Sequence, residues 1–62
     1  MGLKEIRKRR EAKGLTQTEL AERVGISRVY LNYLERNKLE CSIKTARMIA
    51  KELGCDWTEL YD

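Results

Sequence analysis

The spacing of four glycines in a proline-free chain of 62 residues limits the fold more than any other feature of the sequence. Gly14, Gly25 and Gly54 each follow a stretch rich in helix-forming residues, and glycine readily adopts the left-handed conformation that ends an α-helix. A chain of this length holds one small domain. We therefore predict an all-α domain of short helices with tight joints, without strands or repeats.

Capping patterns indicate where the helices begin. Thr16 to Glu19 has the form of a capping box, in which each end of the motif bonds the backbone of the other. Ser27 and Ser42 can each cap a further helix, and Asp56 to Glu59 forms a second box. Apolar residues recur at three- and four-residue steps between these caps. The five predicted helices cover roughly residues 3–13, 17–24, 28–37, 43–53 and 57–61.

The residue inventory argues against an enzyme or a metalloprotein. The sequence contains no histidine, which removes the usual general base and the commonest metal ligand. Cys41 and Cys55 lack the neighbouring ligands of a zinc site, and buried thiols are favoured over a disulfide between them. No apolar run is long enough to span a membrane, and the first residues lack the apolar stretch of a signal peptide. We expect a soluble, intracellular protein with no cofactor, metal, membrane contact or small-molecule ligand.

Charge is unevenly distributed along the chain. The net charge is only +3, from 13 Lys and Arg against 10 Asp and Glu. Residues 1–13 carry six bases and two acids, whereas residues 54–62 carry three acids and no base. A basic end favours phosphate partners without establishing them. We interpret the basic run Arg7 to Arg10 as a solvated helix face rather than a targeting signal.

Two short helices joined by Gly25, Ile26 and Ser27 form the most informative segment. The joint is too tight for an antiparallel helical hairpin, so the two helices must cross steeply. This stretch, together with the run Gly14 to Ala21, resembles the helix-turn-helix of the lambda-type repressor and Cro family, also called the xenobiotic-response-element family. The resemblance extends over essentially the whole chain. It implies a compact five-helix, lambda-repressor-like DNA-binding domain with its helix-turn-helix in helices 2 and 3, at about residues 16–37.

One face of the predicted third helix carries the candidate base-reading residues. Once its leucines are assigned to the core, the remaining positions share one helical face. A major groove admits a helix, and Arg28 can fork onto guanine, Asn32 onto adenine, and Val29 onto a thymine methyl. Tyr33 can contact a base or a phosphate. The predicted base-reading residues are Arg28, Val29, Asn32 and Tyr33.

Phosphate contacts are expected at helix starts and just after helix three. Backbone N–H groups at a helix N-terminus and nearby cations both favour an anion. The predicted phosphate-contacting residues are Gln17, Thr18, Ser27, Arg36, Asn37, Lys38, Ser42 and Lys44. The family resemblance implies two further roles. Gln17 reaches the DNA backbone and braces the recognition helix, and Arg10 late in helix one forms a structural ion pair with Glu35 late in helix three.

The last part of the chain is the candidate dimer surface. The resemblance implies a sequence-specific regulator of transcription, most simply a repressor, that binds double-stranded operator DNA as a homodimer. It also implies a cytoplasmic, nucleoid-associated protein of bacterial or phage type. Apolar residues beyond the needs of the core are expected at Trp57, Leu60, Tyr61 and Cys41. Trp57 and Leu60 have an alternative role, because both are also placed to close the core.

A second function remains open for the same fold. A protein-interaction adaptor or antitoxin would use Val29, Tyr30 and Tyr33 to contact a protein partner. Salt dependence separates the two functions. For a DNA-binding protein, the logarithm of the affinity falls linearly with the logarithm of the salt concentration, with a slope of about −0.9 per phosphate contact.

Overall fold

A computed structural model describes residues 5–36 and 41–60, and this part of the chain is entirely helical, without strands. Four α-helices are followed by a single 3-10 turn, Trp57–Glu59. The helices are α1 (Ile6–Ala12), α2 (Gln17–Val24), α3 (Arg28–Glu35) and α4 (Ile43–Leu53). The all-α prediction is confirmed, and the bounds of α2 and α4 match the expected ones.

The predicted fifth helix is not confirmed, because the described residues form a single 3-10 turn there and not an α-helix. The Asp56 capping box forms as expected, but the backbone bonds that follow span three residues, from Glu59 N to Asp56 O and from Leu60 N to Trp57 O. Leu60 is fully buried. Burial of this side chain holds the chain against the core immediately after the turn.

Side-chain caps begin three of the four helices. Thr16 forms a complete capping box with Glu19, and Ser27 and Ser42 each accept a hydrogen bond from the backbone N–H three residues later. The backbone hydrogen bond from Thr16 lowers the pKa of the Glu19 carboxyl. α1 lacks such a cap, and it begins three residues later and ends one residue earlier than predicted.

The joint between α2 and α3 is set by Gly25, which has a φ of 84°. The backbone N–H groups of Gly25 and Ile26 both bond the carbonyl of Ala21, at 2.8 and 3.0 Å. These bonds satisfy the end of α2 and turn the chain at once into the Ser27 cap. α3 ends at Glu35, with Arg36 as its C-cap, about two residues before the end predicted from the sequence.

A single apolar core lies between the helices. α2 packs against both α3 and α4, and α4 packs against the 3-10 turn. Tyr30 is half-buried against this core. The buried apolar residues are Ile6, Leu20, Ala21, Val24, Leu31, Leu34, Ala46, Ile49, Ala50, Leu53 and Leu60. Because α2 contacts both neighbours, it fixes the position of α3 relative to the rest of the domain.

Candidate nucleic-acid interface

α3 has one buried face and one exposed face. Leu31 and Leu34 are fully buried, whereas Val29 and Tyr33 are 53% and 42% exposed. Large apolar side chains at this exposure favour a contact surface over a solvated one when they share a helix face. The predicted base-reading residues therefore lie together, although Asn32 is only half-exposed.

Arg10 and Glu35 form a buried ion pair between α1 and α3. Arg10 Nε lies 2.7 Å from Glu35 Oε2, and Arg10 Nη2 lies 3.0 Å from Oε1. The two side chains are 9% and 2% exposed. Arg10 Nη1 also donates to the carbonyl of Leu15 at 2.8 Å. The hydrogen bond with Glu35 raises the pKa of Arg10, outweighing burial, which lowers it.

Gln17 connects this ion pair to the exposed face of α3. Its Nε2 donates to Glu35 Oε1 at 3.1 Å and to Asn32 Oδ1 at 3.3 Å. A side-chain amide carries two N–H donors, so both donors of Gln17 are used within the protein. Any phosphate contact at this position must come from the backbone N–H. The sequence does not reveal the Gln17–Asn32 contact, because it depends on how steeply α2 and α3 cross.

The two serine caps of the predicted phosphate set differ in what they can still donate. Ser27 Oγ accepts from Tyr30 N at 3.0 Å and makes no donation of its own within the described residues. Ser42 Oγ accepts from Thr45 N at 3.2 Å and donates to Thr45 Oγ1 at 3.1 Å. The Ser27 hydroxyl is therefore the better phosphate donor of the two.

Three further residues of the predicted phosphate-contacting set lie on the outside of the fold. Thr18, Arg36 and Lys44 are exposed, and Arg36 lines an open groove together with Arg7, Gln17 and Asn32. Asn37 and Lys38 lie outside the described residues. Arg10, Glu11 and Glu35 also line the groove, so two of its three arginines, Arg7 and Arg10, are paired with carboxylates.

The predicted dimer residues do not form one exposed patch. Leu60 is fully buried, so its alternative role in closing the core is the correct one. Trp57 is half-buried, and the Arg47 guanidinium lies 5.6 Å from its ring centroid. Cys41 is half-buried against the core, and Tyr61 lies outside the described residues.

Exposed apolar area not anticipated from the sequence lies on α4, at Ile43 and Met48. Ile43 and Met48 interrupt an outer face of α4 that is otherwise polar. The three- and four-residue spacing of the apolar residues in α4 would assign Ile43 to the core, but Ile43 is exposed. Burial at the start of a helix depends on what packs there, which the residue spacing does not encode.

The described residues, 5–36 and 41–60, contain no cluster of three potential metal-ligating side chains. Within the same ranges, no helix combines the length and the apolar character needed to cross a bilayer.

Two short helices that pack together across a three-residue joint, with glycine at the end of the first and an exposed face on the second, define a helix-turn-helix protein. The helix-turn-helix family matches residues 6–60 of this chain, and the chain belongs to that family. The resemblance noted from the sequence is confirmed.

Relatives and solved structures agree with this assignment. An uncharacterized HTH-type transcriptional regulator of Methanothermobacter thermautotrophicus is 44% identical over 54 residues, covering 87% of this chain and 78% of that protein. The immunity repressor protein of Bacillus phage phi105 is 42% identical over 52 residues, covering 84% of this chain and 34% of the repressor. The crystal structure of SinR, the master regulator of biofilm formation of Bacillus subtilis, in complex with DNA superposes with a TM-score of 0.86 at 32% identity, over 94% of each chain.

Proposed function

We propose that this chain is a sequence-specific regulator of transcription that binds double-stranded DNA and lays α3 in the major groove. The observation that carries the proposal is the exposed face of α3, where Val29 and Tyr33 lie outward beside Arg28. A solvated helix face has no need of two large apolar side chains. The SinR structure, which shares the fold, is a complex with DNA and supports DNA binding by this chain.

Each residue of this face has a distinct role in the proposal. Arg28, at the first position of α3, forks onto guanine, and Val29 packs on a thymine methyl. Tyr33, one turn further on, contacts a base or a phosphate. Arg36 adds positive charge in the groove that Asn32 lines, whereas Arg7 in the same groove is paired with Glu11.

Phosphate contacts position the domain in this proposal. The N–H groups that begin α2 and the Ser27 hydroxyl face the backbone of one strand, and Lys44 at the start of α4 adds a cation. Lys38 and Asn37 extend the set from outside the described residues. These contacts carry no sequence information and give the binding its salt dependence.

More specifically, the proposal is that the protein is a repressor and acts as a homodimer. The similarity to a phage immunity repressor supports repression, which requires only that a promoter be occupied. Two copies would read half-sites about one helical turn, roughly 34 Å, apart. Trp57, Cys41 and Tyr61 remain the candidate dimer residues once Leu60 is assigned to the core. We assign the protein no enzymatic activity and place it in the cytoplasm with its operator.

Selection of bound duplexes from a random DNA pool tests the proposal. We expect a pseudo-palindromic consensus with a fixed half-site spacing. The logarithm of the affinity for that consensus should fall linearly with the logarithm of the salt concentration, by about 0.9 per phosphate contact. Sedimentation with and without the selected duplex tests the homodimer. Recovery of no consensus from the pool would contradict sequence-specific binding.

A protein-interaction adaptor is the second candidate function. Exposure of Val29 and Tyr33 supports it equally, because apolar side chains of this size also anchor protein interfaces. The same salt titration separates the two functions, because contact between apolar surfaces depends weakly on salt. A partner bound through Val29 and Tyr33 with salt-independent affinity would favour the adaptor.

A further inference from the structure

Val29 is the one aliphatic side chain that α3 exposes to solvent. The two leucines of the helix are fully buried, whereas Val29 is 53% exposed. Tyr33 is also exposed and lies four residues further along, so it is the neighbour of Val29 on the helix surface. The two side chains form a small apolar surface beside Arg28, on the face that the proposed function directs into the major groove.

The major groove offers an apolar side chain one complementary group. Its base edges carry hydrogen-bond acceptors and donors, apart from the C5-methyl group of thymine. An aliphatic side chain that covers a donor or acceptor displaces water from it and returns no hydrogen bond, which costs free energy. In the proposed complex, Val29 is therefore complementary to a C5-methyl group and to no polar base edge.

The fold holds the Val29 side chain in a defined position. Val29 is the second residue of α3, and the N-terminal residues of a recognition helix are those that contact base edges. The Ser27 cap, which accepts from Tyr30 N at 3.0 Å, fixes the start of the helix, and buried Leu31 anchors its next turn. A helical valine also strongly prefers one χ1 rotamer. Contact with a methyl group therefore costs Val29 little conformational entropy.

We propose that Val29 recognises the C5-methyl group of a pyrimidine, so that 5-methylcytosine gains the same contact as thymine. Thymine and cytosine differ in the major groove at position 4, where thymine accepts through O4 and cytosine donates through N4. Valine has no side-chain donor or acceptor with which to distinguish these groups, and the methyl group lies on the same ring carbon in both bases. Methylation of a cytosine at this position then strengthens binding. The inference rests on the proposed function and extends the expected thymine contact to methylated DNA.

Modified pyrimidines separate the methyl group from the rest of the base pair. Uracil is thymine without its methyl group and still pairs with adenine, and 5-methylcytosine is cytosine with a methyl group and still pairs with guanine. Each pyrimidine of the selected duplex is replaced in turn, first as thymine against uracil and then as cytosine against 5-methylcytosine. Fluorescence anisotropy at one fixed salt concentration gives the ratio of affinities with and without the methyl group in each background.

Three variants test whether the methyl effect belongs to Val29. Val29→Ala removes most of the aliphatic surface, and Val29→Thr keeps the branched shape but replaces one methyl group by a hydroxyl. Met48→Ala removes an exposed apolar side chain from α4 instead and is the matched control. Because Val29 and Met48 both lie outside the core, all three variants should fold, and far-UV circular dichroism checks that they do.

At one pyrimidine, we expect the methyl group to strengthen wild-type binding about fourfold in both backgrounds, which is the effect of burying one such group. The ratio should fall close to one in Val29→Ala, fall partly in Val29→Thr and stay about fourfold in Met48→Ala. Three results overturn the inference alone: no methyl effect at any pyrimidine, an effect with thymine but not with 5-methylcytosine, or an unchanged ratio in folded Val29→Ala. Failure to select any sequence from the random pool overturns the proposed function and the inference with it.

Discussion

Replacement of Glu35 by alanine should bring the domain close to its unfolding midpoint at 25 °C. The change removes two hydrogen bonds from Arg10 and one from Gln17, and it leaves a guanidinium that is 9% exposed without its counter-charge. Removal of one partner from a buried ion pair costs about 3–5 kcal/mol. A single core in a chain this short supplies roughly the same amount, about 3–5 kcal/mol.

Urea denaturation followed by far-UV circular dichroism measures this loss. The matched control is Glu11→Ala, which breaks the ion pair between Arg7 Nε and Glu11 Oε2 at 3.3 Å on the same helix as Arg10. Those side chains are 72% and 56% exposed, so this change should cost about 0.5 kcal/mol or less. The two variants remove the same chemical group and differ chiefly in burial.

A double variant distinguishes burial of charge from loss of packing. Arg10→Met with Glu35→Leu replaces both charges by apolar groups of similar size, which is often neutral or stabilising. It should recover most of the stability lost in Glu35→Ala. If Glu35→Ala costs no more than Glu11→Ala, or if the double variant is as unstable as the single one, the argument from burial is refuted.

Three further predictions concern DNA binding, pH and the end of α4. Arg28→Ala should cost about 1–3 kcal/mol on the selected duplex and relax one base position; equal losses on specific and random DNA in a gel-shift titration would contradict base reading. The pKa of Glu19 is lowered by its bond from Thr16, so this stabilisation is present above the unfolded-state pKa and is lost as pH falls through the folded-state pKa; melting temperatures should show a smaller acid dependence in Glu19→Gln. Gly54→Ala should destabilise the domain by about 1–2 kcal/mol in urea denaturation, because Gly54 has a φ of 72°; the added Cβ would lie 3.2 Å from Lys13 Nζ, a flexible atom that can move, and an unchanged midpoint would contradict the backbone argument.

The helix starts could be predicted from the sequence because a cap is a local interaction. Thr16, Ser27 and Ser42 each bond a backbone N–H three residues away, so their partners can be read directly from the chain. The same reasoning was less accurate at Asp56, whose capping box starts a 3-10 turn and not an α-helix. Leu60 is fully buried just after that turn, and no local pattern encodes its burial.

The exposed face of α3 was predictable, but its hydrogen bonding was not. Helical spacing placed Val29 and Tyr33 outward once the leucines were assigned inward. The contact between Gln17 and Asn32 joins residues 15 positions apart on two helices, and it depends on their crossing angle and separation. The sequence therefore predicts an adenine contact for Asn32 but not the hydrogen bond that its Oδ1 accepts from Gln17.

The short helices have a consequence for how the protein is degraded in a cell. The longest helix has 11 residues, and isolated helices below about 12–15 residues are marginal in water. The helices therefore depend on their mutual packing, and the amide hydrogens at the centre of α3 should exchange only when the whole domain opens. Proteases that act on the opened chain would then sample the complete unfolding equilibrium. A change of about 1–2 kcal/mol would alter the abundance of the regulator several-fold, so its lifetime becomes a property of the same buried contacts that hold α3 in place.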